Sequence, residues 1–284
     1  MGFRISTNIA SVNAQRNLGT SQMQMGDSMA KLASGSRINK ASDDAAGLAI
    51  SENLKSQVRS TRMASRNAQD GVSMVQTAEG GLNELSSIIT RLRELGIQAA
   101  SDTVGDTERG FLDKEVQQLK SEMQRIAQVT KWGSTGLLDG STPTFDFQVG
   151  INNDDFSDRI AYNGNENTAT IDALGLSGVD YTTKTGAQSA LAELDTAQTS
   201  VNGMRANLGA LQNRLTSTIT NLGVAEENLS AANSRIRDTD VANATAEMTR
   251  NSILLQSATS TLAQANQKDP VSYTHLTLPT KRIV

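Results

Sequence analysis

From Leu194 to Ile236, apolar or small residues recur in unbroken three-then-four alternation: Leu194, Ala197, Val201, Met204, Leu208, Leu211, Leu215, Thr218, Leu222, Ala225, Leu229, Ala232 and Ile236. This period is that of a coiled-coil seam, a narrow apolar stripe along one side of a continuous helix. As one helix the stretch would be roughly 60 Å long at about 1.5 Å per residue, so it requires an equally long partner to bury that stripe. The same chain supplies it. Val75, Ala78, Leu82, Leu85, Ile89, Leu92, Gly96 and Ala99 repeat the spacing, and Leu112, Val116, Leu119, Met123 and Ile126 repeat it again. Three seams are compatible with a compact bundle, but a seam of about six heptads favours an elongated helical rod over a compact one.

Composition agrees with helices that each bury one stripe. Only 3% of the 284 residues are aromatic and 37% are hydrophobic, too little for a thick globular core. The remaining helical surface, rich in Gln, Asn, Ser, Thr and Ala, is suited to self-association. With a net charge of -4 and no block of Lys or Arg, the chain carries no electrostatic footprint for nucleic acid. No apolar run approaches the length of a membrane span, and the opening Met1-Gly2-Phe3-Arg4-Ile5-Ser6 lacks the apolar core of a cleaved signal. Cysteine is absent, which excludes disulfides, thiolate metal sites and thiol nucleophiles. The single histidine, His275, lies near the C-terminus, so no His-based catalytic triad or zinc site can be built from the body of the chain. No enzyme activity, metal or cofactor is expected.

Along the chain, Leu18, Met25, Met29 and Leu32 lie on one stripe of a first helix. Turn-forming residues from Ala33 to Asp44 follow and read as a linker, in which Ser42, Asp43 or Asp44 could cap a second helix running from about Ala45 to Ala100. Gly71, Gly80, Gly81 and Gly96 would each cost that helix about 1 kcal/mol relative to alanine. Close approach of a neighbouring backbone, within the rod or between molecules, would account for them, as would a locally weak helix. After Ile126 the period changes. Phe145, Phe147 and Val149 alternate with polar residues, and Tyr162-Asn163-Gly164 carries a hairpin-turn dipeptide. Asp154, Asp155 and Asp158 lack the spacing of a calcium loop and read as a solvated turn. Thr185 and Gln188 form a capping box for the last long helix. The seam breaks at Arg237-Asp238-Thr239-Asp240 and restarts through Val241, Ala244, Met248, Leu255, Ala258, Leu262 and Ala265. Both ends thus share one plan, closed most simply in antiparallel fashion.

The run from Leu32 to Ile50, containing Ala33-Ser34-Gly35-Ser36-Arg37-Ile38-Asn39-Lys40-Ala41-Ser42-Asp43-Asp44, closely resembles the N-terminal region of bacterial flagellins. Arg4-Ile5-Ser6-Thr7-Asn8, the run Ala64 to Gly71, and the C-terminal stretch from Ala225 to Gln267 resemble the same family. The resemblance implies a mainly α, elongated antiparallel helical bundle or coiled coil with a small β-hairpin region in the middle. It implies a terminal inner coiled coil from residues 1–44 and 238–267, a helical rod from 45–140 and 186–237, and a short β-containing outer segment at 141–185. Ile5 to Leu32 would pair with Val241 to Ala265, and polymerisation would run through Leu18, Met25, Met29, Leu32, Val241, Met248, Leu255 and Leu262.

Such a subunit would be exported unfolded by the flagellar type III system and would build an extracellular filament for motility. Its partners would be copies of itself, an export chaperone, and the cap and hook-associated proteins. Arg91, Leu95 and Glu115 match a surface read by a Toll-like innate receptor of a host, with subunit packing as their primary role. Competing readings are a hook-filament junction protein of the same superfamily and a secreted monomeric adhesin or immune ligand, for which the middle segment is short. A zinc-peptidase insert is excluded by the absence of His-Glu-x-x-His. Residues 268–284, with Pro270, Pro279 and a β-leaning run, resemble translated adapter sequence and read as a non-native tail unable to continue the helix.

Overall fold

The computed structural model describes residues 8–141 and 144–267; Ile5, in the pairing expected above, and the tail after Gln267 lie outside the described residues. The elements are α1 (Ile9–Ser34), α2 (Ala45–Ala99), α3 (Asp106–Val129), β1 (Lys131–Trp132), β2 (Thr135–Gly136), β3 (Thr144–Gln148), β4 (Arg159–Asn163), a 3-10 turn (Asn165–Asn167), α4 (Lys184–Arg237) and α5 (Val241–Gln267). The molecule is mainly α-helical, with helices packed as a bundle and two small antiparallel sheets, β1-β2 and β3-β4. It divides into two compact units, residues 56–228 and residues 1–55 with 229–284. Among the described residues no helix is long and apolar enough to cross a membrane, and no group of three or more acidic or histidine side chains is placed to hold a metal ion.

In the unit of residues 56–228, α2, α3 and α4 converge on one core. Val75, Ala78, Leu82, Leu85, Ile89, Leu92 and Ala99 of α2 are buried there with Val116 and Met123 of α3 and Leu194, Ala197, Val201, Leu208 and Leu215 of α4. α2 and α4 run antiparallel, linked by Arg93 to Asp195 at 2.7 Å and by Gln198 to Ser86 at 2.8 Å. α3 folds back along α2 through a turn clamped by Arg109. Its buried guanidinium donates to Ala99 O at 2.8 Å and Ser101 O at 2.9 Å, satisfying carbonyls at the C-terminal end of α2 and placing positive charge at the negative end of its dipole.

The last fully buried residue of the α4 seam is Leu215, with Met204 and Leu211 half-buried before it; beyond it Thr218 and Leu222 are half-buried and Ala225 is exposed. The cause is the number of neighbours. α3 accompanies α2 from Ala99 down to Gly81, where Thr130 approaches, and the β3-β4 hairpin continues to Asn67, whose side chain donates to Gln148 O. Beyond that level only the β3-β4 connection still borders α2, at Arg59 and Met63, and the Arg62–Glu226 pair joins α2 to α4, which leaves the seam members partly wet.

The helix glycines acquire reasons here. A Cβ at Gly71 would lie 3.1 Å from the Phe147 ring, one at Gly81 would lie 2.7 Å from Thr130 Oγ1, and one at Gly96 would lie 3.0 Å from Tyr181 Oη, whereas Gly80 has nothing within 4 Å. The middle segment is pinned to the helices by polar groups. Tyr181 donates to Leu92 O of α2 at 2.8 Å, and the buried Lys120 ammonium of α3 donates to Ser177 O at 2.9 Å and Val179 O at 3.1 Å, while Tyr162 ties β4 to the loop after β2 by donating to Leu137 O at 2.7 Å.

Two local expectations are corrected. Asn163-Gly164 is not a hairpin turn, because β4 ends at Asn163 and the chain enters the 3-10 turn; β3 and β4 are joined instead through residues 149–158. The cap of α4 is Thr183 and not Thr185, since Thr183 Oγ1 accepts from Gly186 N at 3.1 Å. The acidic turn is ordered by its own residues: Asp158 is buried and accepts from Asp154 N at 3.1 Å, while the exposed Asp155 pairs with Arg159.

Candidate functional site

In the unit of residues 1–55 with 229–284, α1 and α5 lie antiparallel. Asn8 caps α1, its side chain accepting from Ser11 N at 2.9 Å, and the same side chain donates to Ala265 O at 3.0 Å. Ser11 donates to Asn266 Oδ1 at 2.7 Å, and Asn251 donates to Ser28 Oγ at 3.2 Å at the other end of the pair. Asp240 caps α5 by accepting from Ala242 N at 2.9 Å.

The stretch read as a linker is an ordered elbow. α1 ends at Gly35, whose φ of 67° is the left-handed conformation that glycine adopts at low cost. Gly35 O then accepts from Thr239 N at 2.9 Å, and Arg37 N donates to Arg237 O at 2.6 Å, so the break after α1 is bonded to the break before α5. Ile38 is fully buried against Gly47, where a Cβ would fall 2.8 Å from Ile38 Cδ1. Asp44 caps α2 by accepting from Gly47 N at 2.8 Å. Asp43 accepts from Lys40 N and Asn39 N, and these bonds hold its carboxyl below the usual range. Ser51 donates to Asn233 Oδ1 at 2.9 Å, and Glu52 pairs with Arg237.

The interface between α1 and α5 is thin. Ala14, Ser28 and Ala244 alone are buried in it, all of them small. Leu18, Met25, Leu32, Met248, Leu255 and Leu262 lie on the shared seam but remain half-buried. Met29 and Val241 face outward, 49% and 63% exposed. They join an outer apolar set that the three-four stripe does not include: Ile9, Val12, Met23, Ile253 and Leu254, from 47% to 67% exposed. Full burial of such a side chain stabilises by about 1.5–3 kcal/mol, so covering the exposed half of these seven would contribute roughly 5–10 kcal/mol before association costs. Two helices alone cannot bury both stripes. Both stripes therefore remain partly open to water.

On the other unit, Arg91 and Glu115 are exposed and paired, with Arg91 Nη2 at 2.9 Å from Glu115 Oε1 and a second bond to Glu94. Leu95 is 2% exposed and belongs to the core beneath them. The surface there is therefore charged, and Leu95 does not contribute to it.

Comparison with known proteins places the chain in a family. The bacterial flagellin N-terminal helical region matches residues 5–142, and the bacterial flagellin C-terminal helical region matches residues 191–273. The chain is 44% identical to a flagellin of Halalkalibacterium halodurans, over 93% of this chain and 96% of that protein. It is 41% identical to the flagellar filament 33 kDa core protein of Treponema phagedenis, over 93% and 96% of the two. Among solved structures, a putative flagellar hook-associated protein from Vibrio parahaemolyticus shares the fold at a TM-score of 0.57 and 13% identity, over 69% of this chain and all of that one. With both helical regions matched and relatives aligned over nearly their whole length, this chain belongs to the bacterial flagellin family.

Proposed function

We propose that the chain is the structural subunit of a bacterial flagellar filament, self-assembling through α1 and α5 into an extracellular helical polymer for motility. The observation that carries this reading is the thin α1-α5 pair, whose seam stays half-buried while a second apolar set points outward. A helix pair so weakly packed is poorly stable alone, which also suits export in an unfolded state through a type III channel. The family supports a structural role rather than catalysis.

Seeded sedimentation with negative-stain microscopy tests the proposal on two forms: the chain as given, and one whose residues after Gln267 are replaced by an Ala/Leu-rich flagellin end. Filaments are expected from the replaced form, and a double substitution Met23→Glu with Ile253→Glu should abolish them while leaving residues 56–228 folded. Absence of filaments from both forms would refute the filament role. For the host-receptor surface, we propose that the exposed Arg91 and Glu115 form the contact on a free subunit, with Leu95 supporting them from the core. Equal receptor signalling by Arg91→Ala and the unsubstituted chain would overturn that assignment.

A further inference from the structure

One apolar side chain stands apart from everything above. Phe156, in the connection between β3 and β4, is 88% exposed, and Ile151 beside it is 44% exposed. Exposure alone would mean little on a mobile loop, but this connection is held by its own hydrogen bonds. Val149 N and Gly150 N both donate to Asp158 O, at 2.8 and 3.0 Å. Asp158 Oδ2 accepts from Asp154 N, and Asp154 Oδ1 accepts from Phe156 N at 3.0 Å. Gln148 Nε2 donates to Gly150 O at 3.1 Å and Asn152 O at 2.8 Å, and Arg159 reaches Asn153 at 2.6 Å. The turn fixes the backbone at Phe156 and presents the ring to water. A pre-ordered aromatic of this kind loses little conformational freedom on insertion into a partner.

The same unit carries a matching hollow at another place. Between α2 and the end of α3 lies a groove of about 280 Å³, bordered by Thr77, Gly80, Glu84, Arg125, Val129 and Lys131. Its volume exceeds the roughly 150 Å³ that accepts a benzene ring in an apolar cavity. Val129 on its wall is 60% exposed, and Gly80 has no atom within 4 Å of where a Cβ would sit. Among the glycines of α2, Gly80 is thus the one with no close neighbour inside the chain, at a cost of about 1 kcal/mol to that helix. The charges match as well: Asp154 and Asp155 flank Phe156, and Arg125 and Lys131 stand on one wall of the groove, with Glu84 on the other. Arg125 and Asp155 have exposed partners of their own, Glu122 and Arg159, in surface pairs that are weak enough to exchange.

The two features cannot meet within one molecule. The β3-β4 connection reaches α2 at Arg59 and Met63, which border a cleft with Gly150 and Ile151, whereas the groove opens at Gly80. About 20 residues of helix separate them, roughly 30 Å at 1.5 Å per residue.

We propose that Phe156 of one copy inserts into the Gly80–Val129 groove of a second copy. The contact rests on the filament reading above and specifies one of its joints. It is heterologous, because knob and hollow are different surfaces, so each added copy leaves one of each free and growth need not close.

The chain has no cysteine, which makes engineered cross-links unambiguous. Filaments of a Phe156→Cys, Val129→Cys double variant should give a disulfide ladder on oxidation. A mixture of the two single variants should give dimers only, and each single variant alone should give none. In parallel, Phe156→Ser should raise the critical concentration for assembly at least tenfold, with Phe156→Leu within about twofold, while the thermal unfolding of the free subunit is unchanged in both. Dimers from Phe156→Cys alone, filaments of the double variant without a ladder, or normal assembly by Phe156→Ser would each overturn the proposal. If the cysteine variants do not assemble, the Ser and Leu comparison decides it. These variants are made in the form whose residues after Gln267 are replaced; failure of that form without further substitution, and of the chain as given, to make filaments would remove the filament reading, and this contact with it.

Discussion

Raising the pH should unfold the helical unit of residues 56–228 through its two buried tyrosines. Tyr162 and Tyr181 are 1% and 0% exposed, and burial pushes each phenol up to about 12, helped by the nearby Asp139 and Asp113 carboxylates respectively. In the unfolded chain both ionise near the ordinary value of about 10. Because the folded state holds the proton more tightly, the stabilisation is complete below about pH 10 and is lost as pH rises through 12. The difference between about 10 and about 12 corresponds to about 2.7 kcal/mol for each tyrosine, or about 5 kcal/mol for the pair, which is comparable with the whole stability of a small domain. The assay is a pH titration that follows the phenolate absorbance band alongside far-ultraviolet circular dichroism. Of the three tyrosines, Tyr273 lies outside the described residues, and the prediction concerns Tyr162 and Tyr181 alone. The expected result is that two phenols titrate together with loss of helix between pH 11 and 12. Tyr181→Phe should remove one of those late phenols and also delete the hydrogen bond to Leu92 O, at a cost of about 1 kcal/mol at neutral pH. Titration of all three phenols near pH 10 with the helical signal intact would refute the reasoning.

Four further outcomes follow from the packing. Gly81→Val should destabilise by about 1–3 kcal/mol, since its Cβ would press on Thr130 and Leu138, while Gly80→Ala should stabilise the free subunit by up to about 1 kcal/mol and hinder assembly; denaturant midpoints and seeded sedimentation separate the two. Lys120→Met should cost about 1.5–3 kcal/mol, because the Ser177 and Val179 carbonyls lose a charged donor, and an unchanged urea midpoint would contradict the pinning role. Asp43 is held ionised by the Lys40 and Asn39 amides, so its contribution is present above the ordinary carboxyl value and disappears as pH falls below it; amide exchange at Asn39 and Lys40 should quicken in acid, and at neutral pH in Asp43→Asn.

The heptad seams, the breaks after Ser34 and Arg237, and the small β-containing middle were legible in the chain because each is local. Periodicity, turn residues and the absence of cysteine need no knowledge of what lies across the fold. The family resemblance was legible for the same reason, in continuous runs of residues. What tertiary structure decided were relations between distant segments. Leu95 falls off the Leu92–Gly96 stripe, yet it is buried, because α2 meets both α3 and α4 and a helix with two partners buries a wider face than one seam. Ile38 sits in a polar run and is core, since Gly47 leaves room for it. Lys120 and Arg109 are buried cations in α3; the Asp106 partner of Arg109 could be read from its i,i+3 spacing, but the backbone carbonyls that both cations bond come from other segments, and no sequence spacing announces a carbonyl. The outward faces of α1 and α5 likewise became visible only once the inward ones were assigned. A stripe specifies that two helices pair; the number of helices that cover the rest is set by the neighbours the fold brings to them.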